Sequence, residues 1–168
     1  MAIVTGAAAG LRAASRATMV QLRAPALTTP ALERELRTLV ATASVPVIVS
    51  SRCDVALACD AAGVNLPESD ISIADARKLL GGRLIGRSVH SIASAQMAEN
   101  DGADYVIFGP VWDTASHLSA PPAGVAALAR VAGSVGIPVL AIGGVTEQRV
   151  AEVLASGAAG YAAIRLFE

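Results

Sequence analysis

Lysine is almost absent from this chain: of the 13 basic residues among 168, only Lys78 is a lysine. Charged residues of both signs make up 16% and nearly cancel, leaving a formal net charge of −1. No basic stripe offers a nucleic-acid footprint. No apolar run approaches the roughly 18–20 residues of a membrane span, so no membrane partner is expected. The stretch from Met1 to Gly6 has no basic segment followed by an apolar one, so no signal peptide is expected. Cysteine is scarce as well. Cys53 and Cys59 lie six apart in one helical pattern. They make neither a disulfide framework nor a metal set, and fit a reducing cytoplasm.

What is present is apolar. Hydrophobic residues reach 54%, the composition of an α/β protein with much buried surface. The length suffices for one domain, 1–168, with a sizeable core. Tyr105–Phe108 and Val139–Ile142 are short apolar runs closed by Gly109 and by Gly143-Gly144. Runs of this kind, rich in β-branched residues, read as strands buried on both faces. The helical stretch between them makes the pair parallel. The alternation continues along the chain. Strands are also expected at 2–4, 18–22, 45–49, 63–66, 84–86 and 160–164. Helices are expected at 7–16 (abbreviated), 31–43, 53–62, 72–80, 91–100 and 147–156. Thr28 or Thr29 would cap the second helix, with Pro30 in its first turn. Ser72 opens a capping-box-like start, and Ser91 caps the helix that follows it. Eight strands with helices between them predict a small (β/α)8 TIM barrel, with an open doubly wound sheet as the second choice. Such barrels usually run to about 200–250 residues. A shortened first helix and a missing last outer helix would account for the difference. The missing helix should leave an apolar strip beside strands one and eight, which favours a homo-oligomer.

In parallel barrels, ligands sit at the carboxyl ends of the strands. Gly143-Gly144 therefore reads as a phosphate cradle, because glycines let backbone approach an anion and offer free N–H groups. The loops after strands seven and eight are the usual phosphate site, and Arg165 adds a fixed charge there. The competing reading is a tight turn and a surface arginine. Gln21 and Arg23 alternate at the end of strand two, so both can face the mouth. Their partner is a ligand or, equally, a salt bridge to Asp54 or Glu68. Ser88 and His90 follow strand five. His90 is an acid–base candidate, although a lone histidine before a helix is more often structural. His117 lies in a long 113–122 segment, a lid candidate whose Ser/Ala/Pro content suggests mobility. Trp112 either walls an aromatic-binding pocket or fills the rim. Glu68, Asp70 and Asp113 are candidate magnesium ligands, with no spacing that makes a metal motif. Spacing alone ends at a barrel enzyme or binder for a small phosphorylated molecule.

The segments from Ile85 to Ser91, Gly102 to Val111 and Ile137 to Thr146 carry a resemblance, extended by Gln21 to Arg23, Ser51 to Leu57 and Val64 to Pro67. From Thr18 to Ile164, in this order, the chain resembles the thiamine phosphate synthase and thiazole tautomerase superfamily. The resemblance implies a (β/α)8 barrel, a role in thiamin biosynthesis and a thiazole phosphate ligand. Its synthase branch joins a pyrimidine diphosphate to a thiazole phosphate with loss of pyrophosphate, helped by Mg2+. Gln21 and Arg23 match that branch's strand-two motif, but Pro25 stands where a lysine belongs. Ser50-Ser51 replaces an Asn-Asp pair whose Asp holds magnesium, while Asp70 matches the second metal carboxylate. The loop after strand six has no lysine. These changes remove charge that would stabilise a leaving pyrophosphate. The tautomerase branch moves a proton on a thiazole carboxylate phosphate and requires no cofactor. It is similar at Arg52-Cys53-Asp54, Leu66-Pro67 and Arg87 to Ser91. Its catalytic histidine position holds Pro110 here, which leaves His90 or His117 to move the proton. Gly143 and Gly144 match the phosphate site, and Arg165 sits in the matching loop after strand eight. The resemblance thus predicts a tautomerase-like thiazole phosphate barrel. A synthase is the first alternative, and a non-catalytic binding or regulatory relative the second.

Overall fold

The computed structural model describes residues 1–114 and 121–167. One parallel sheet runs in chain order through β1 (Ala2–Val4), β2 (Val20–Leu22), β3 (Val47–Ser50), β4 (Gly63–Leu66), β5 (Leu84–Val89), β6 (Tyr105–Phe108), β7 (Val139–Ile142) and β8 (Gly160–Ala162). The sheet closes on itself: Ile3 N–H donates to the Ala163 carbonyl at 2.9 Å, and Ala163 N–H to the Met1 carbonyl at 3.1 Å. Closure makes the fold a (β/α)8 barrel and excludes the open sheet. Around it lie α1 (Ala7–Ala14), α2 (Thr29–Thr42), α3 (Cys53–Ala58), α4 (Ile73–Leu80), α5 (Ile92–Asn100), α6 (Val125–Ala132) and α7 (Val150–Ala155). A 3-10 turn, Glu147–Arg149, precedes α7, and another, Arg165–Phe167, follows β8. Among the described residues, no helix is long and apolar enough to cross a membrane.

Period-two alternation divides the strand residues between two cores. Met1, Ile3, Ile48, Tyr105, Ile107 and Ala162 fill the barrel interior. Their neighbours Ala2, Val4, Val47, Val49, Val106 and Phe108 pack outward under the helices. Gly86 is required where the Tyr105 ring crosses β5, since a side chain at 86 would strike that ring. Helix ends are closed locally. The Ser72 and Ser91 hydroxyls accept the Asp75 and Ser94 N–H groups, both at 3.0 Å, caps worth about 1 kcal/mol each. The N-terminus of α1 has no cap of its own; Glu35 from α2 accepts the Ala7 N–H at 2.6 Å.

Two expectations change. Strand five was expected to stop at Gly86, but it continues to Val89, with Ser88 and Val89 in register with Ile107 and Phe108. Ser88 is therefore a strand residue, not part of a following loop. The apolar strip expected beside strands one and eight is largely covered. Ala2, Val4 and Ala163 are buried in the same cluster as Phe167, which stacks on Tyr161 at 6.3 Å between ring centroids. Tyr161 and Leu166 remain partly exposed there.

Candidate functional site

At the carboxyl ends of the strands lies a cavity of about 1080 Å³. Its floor is polar, because alternation turns Gln21, Ser50, Asn65 and Ser88 inward from four consecutive strands. Gln21 Nε2 donates to Ser50 Oγ at 2.6 Å, and Asn65 Nδ2 to Ser88 Oγ at 3.1 Å. The two amides are almost fully buried. Their carbonyl oxygens, Gln21 Oε1 and Asn65 Oδ1, find no protein donor among the described residues. Leaving a buried acceptor unmet costs about 1–3 kcal/mol, a cost that a donor on a bound molecule removes.

One wall is the loop after β7. Gly143 and Gly144 have φ of 92° and 66°, in the left-handed region that glycine enters without strain. Close packing adds a second constraint: a Cβ on Gly144 would lie 2.7 Å from both the Trp112 Cβ and the Asp113 carbonyl oxygen. Successive backbone N–H groups in a turn conformation can make an anion-binding concavity. The Gly143 N–H continues the ladder to β8, where Ile142 pairs with Ala162, and the N–H groups of Gly144, Val145 and Thr146 have no protein acceptor among the described residues. The carbonyls of Gly143, Thr146 and Gly144, in contrast, accept the Trp112 N–H, the Arg149 N–H and the Arg149 side chain in turn.

Four arginines reach the cavity: Arg23, Arg52, Arg149 and Arg165. Arg52 is neutralised by Asp54, through hydrogen bonds of 2.9 and 2.7 Å. That pairing holds the Asp54 carboxyl below its ordinary range. No carboxylate pairs with Arg23, Arg149 or Arg165 among the described residues. The salt bridge weighed for Arg23 is therefore not made, and three arginines of the mouth have no carboxylate partner among the described residues, although Glu68 and Asp113 also line the cavity.

The opposite wall carries His90 and Glu68. The His90 Nδ1–H donates to the Gly109 carbonyl at 2.5 Å, which leaves Nε2 at 4.0 Å from a Glu68 oxygen. Arg87 supports this wall from outside the barrel, donating to the Pro67 carbonyl at 2.5 Å and the Ile71 carbonyl at 2.6 Å. Burial lowers its guanidinium pKa from the ordinary value, against the pull of Asp70 and other carboxylates.

Gln21, Arg23, Ser88, His90, Gly143, Gly144 and Arg165 all line the one cavity. Asp70 does not; its Oδ1 accepts the Ile71 N–H at 2.8 Å. Trp112 does not wall the cavity either, but lies behind the Gly144 turn with Arg149 on its face at 4.9 Å. His117 lies outside the described residues. Among the described residues, no three His, Cys, Asp or Glu side chains gather as a metal set. Of the candidate magnesium ligands, Glu68 and Asp113 line the cavity and Asp70 does not, and with Ser51 in place of a carboxylate the described residues gather no magnesium set. Asn65 and Arg149 escaped the sequence reading. An asparagine inside the four-residue buried run Gly63–Leu66 was a usable signal for the first.

Residues 3–167 match the family model described as thiamine monophosphate synthase. The chain is 43% identical over 131 residues to the thiamine-phosphate synthase of Chloroflexus aurantiacus, covering 77% of this chain and 61% of that one. It is 42% identical over 169 residues to a putative thiamine-phosphate synthase of Geobacter sulfurreducens, covering 98% and 77%. In structure it is similar to the thiamine phosphate pyrophosphorylase from Pyrococcus furiosus. The TM-score is 0.88 at 33% identity, covering 97% of this chain and 84% of that one.

Proposed function

The chain belongs to the thiamine monophosphate synthase family, and from that premise we propose that it binds a thiazole phosphate at the β7 loop and joins it to a pyrimidine carried as its diphosphate, releasing pyrophosphate. One observation carries the reading: three unpaired N–H groups, from Gly144 to Thr146, belong to residues that line the same cavity as three arginines without a carboxylate partner. The N–H run suits the compact phosphate of the thiazole. Arg23, Arg149 and Arg165 supply fixed positive charge for a leaving pyrophosphate, a task for which no protein-built magnesium site is present among the described residues. The orphaned oxygens of Gln21 and Asn65 suit a ring bearing N–H donors, as an aminopyrimidine does. The names of the relatives favour this reading over the tautomerase one, and Pro110 has no proton to give.

The test is pyrophosphate release, with both compounds and with each alone, with magnesium supplied and with it chelated. Release that requires both compounds supports the reading. Thiazole phosphate binding without release would overturn the joining step and leave a binding protein. No binding would remove the ligand itself. The geometry of His90 favours a second reading, proton transfer on a thiazole carboxylate phosphate. With Nδ1–H held by the Gly109 carbonyl, Nε2 is left as the basic nitrogen. Tautomer conversion that disappears in His90→Gln would support it, and an unchanged rate would dismiss it.

A further inference from the structure

Arg149 stands apart from the other charged residues of the mouth. It ends the 3-10 turn after the cradle, and its guanidinium lies over the Trp112 ring, 4.9 Å from the centroid. Its NH1 donates to the Gly144 carbonyl at 2.6 Å, and the residue lines the cavity. No carboxylate pairs with it among the described residues; neighbouring Glu147 pairs with Arg16 at 3.7 Å. A guanidinium has five N–H donors in a planar fork and can stack by its face while donating from its edge. Stacking and one hydrogen bond leave most of those donors free.

The single bond that Arg149 makes has a consequence for the loop. In a planar trans peptide, the carbonyl and the following N–H point in opposite directions. Holding the Gly144 carbonyl therefore fixes the direction of the Val145 N–H, one of the three free donors. Arg149 thus sets the orientation of the cradle and brings positive charge to its edge. A purely structural arginine in the same barrel behaves differently: Arg77 spends its fork on three carbonyls and a carboxylate.

We propose that Arg149, seated on Trp112, completes the phosphate cradle by donating its remaining N–H groups to the phosphate that the Gly144–Thr146 run receives. The inference rests on the reading of that loop as a phosphate site. It makes Arg149 the side chain that selects the phosphorylated form of the ligand, and it makes the chain's single tryptophan a reporter of occupancy.

The test titrates thiazole phosphate and the same thiazole without its phosphate into the unmodified chain and into Arg149→Gln, Arg149→Lys and Gly144→Asp, by calorimetry and tryptophan emission. Arg149→Gln should weaken the phosphorylated ligand about 10- to 100-fold and leave the unphosphorylated one unchanged. Arg149→Lys, which keeps charge but not the fork, should recover only part of the loss. The tryptophan emission change on phosphate binding should vanish in Arg149→Gln. Equal weakening of both ligands would show a strut and overturn the proposal. So would unchanged affinity in Arg149→Gln beside lost affinity in Gly144→Asp, while leaving the phosphate site standing. No binding of either compound by the unmodified chain would remove the phosphate site and this inference together. Should Arg149→Gln fail to fold, Arg149→Lys decides: wild-type discrimination between the two ligands would overturn the proposal, and reduced discrimination would support it.

Discussion

At the amino end of the barrel, Arg77 bonds to the carbonyls of Gly81, Arg83 and Gly102 and to Asp104, and Arg83 bonds to the Ala61 carbonyl and Asp60. At the carboxyl mouth, Arg23 and Arg165 make no side-chain bond among the described residues, and Arg149 makes one. The same residue type ties loops together at the amino end, whereas at the mouth Arg52 and Arg87 are engaged and Arg23, Arg149 and Arg165 keep most of their donors. Backbone donors divide the same way, for the free N–H run of Gly144 to Thr146 begins two residues beyond Ile142, the last β7 residue paired with β8. In barrels of this kind the amino end carries stability and the carboxyl end carries chemistry. An arginine whose donors are unspent in a folded protein marks where a ligand is expected to supply the acceptors.

The sharpest way to break this contrast is Gly144→Asp. The new Cβ meets Trp112 and Asp113 at 2.7 Å, the backbone is held at a φ of 66°, and the added carboxylate repels phosphate. Thiazole phosphate affinity should fall by more than about 100-fold in calorimetry. At the opposite end, Arg77→Ala should leave affinity unchanged and cost roughly 2 kcal/mol in urea unfolding, because it orphans three carbonyls and Asp104. Affinity that fell with Arg77→Ala would blur the two ends. The smallest effect belongs to Tyr105 inside the barrel. Its buried hydroxyl has no protein partner among the described residues, and burial raises its pKa. A raised pKa gives stability that is complete below the unfolded tyrosine value, near 10, and is lost as pH climbs above it. Tyr105→Phe should gain about 1 kcal/mol at neutral pH and unfold with a shallower alkaline decline than the parent.

Much of the frame was legible because it is carried by local patterns. Apolar runs closed by glycine marked β6 and β7, and Ser72 and Ser91 marked the starts of α4 and α5. The glycine turn after β7 was legible for the same reason: paired glycines closing a buried strand mark backbone in the left-handed region, as Gly143 and Gly144 adopt. Strand five was cut short because Arg87 and Ser88 interrupt its apolar pattern. Arg87 points out to the loop after β4 and Ser88 in to the cavity floor, so the polar break is itself a trace of the site. The Arg149–Trp112 pair joins residues 37 positions apart through the packing of two loops, and no spacing rule connects them. The orphaned oxygens of Gln21 and Asn65 emerge only when four strands turn their polar residues to one point. The branch within the family was the least legible. Pro25 and Ser51 pulled against the synthase and Pro110 against the tautomerase, while likeness over most of the chain favours the synthase.

The central claim is that a phosphate sits on the backbone donors after β7. Its most direct test follows amide proton and nitrogen resonances while thiazole phosphate is titrated into the protein. The account predicts that the N–H signals of Gly144, Val145 and Thr146 move farthest, with downfield proton shifts that saturate together, while amides at the amino end of the barrel stay in place. Saturating binding that leaves those three signals unmoved would contradict it.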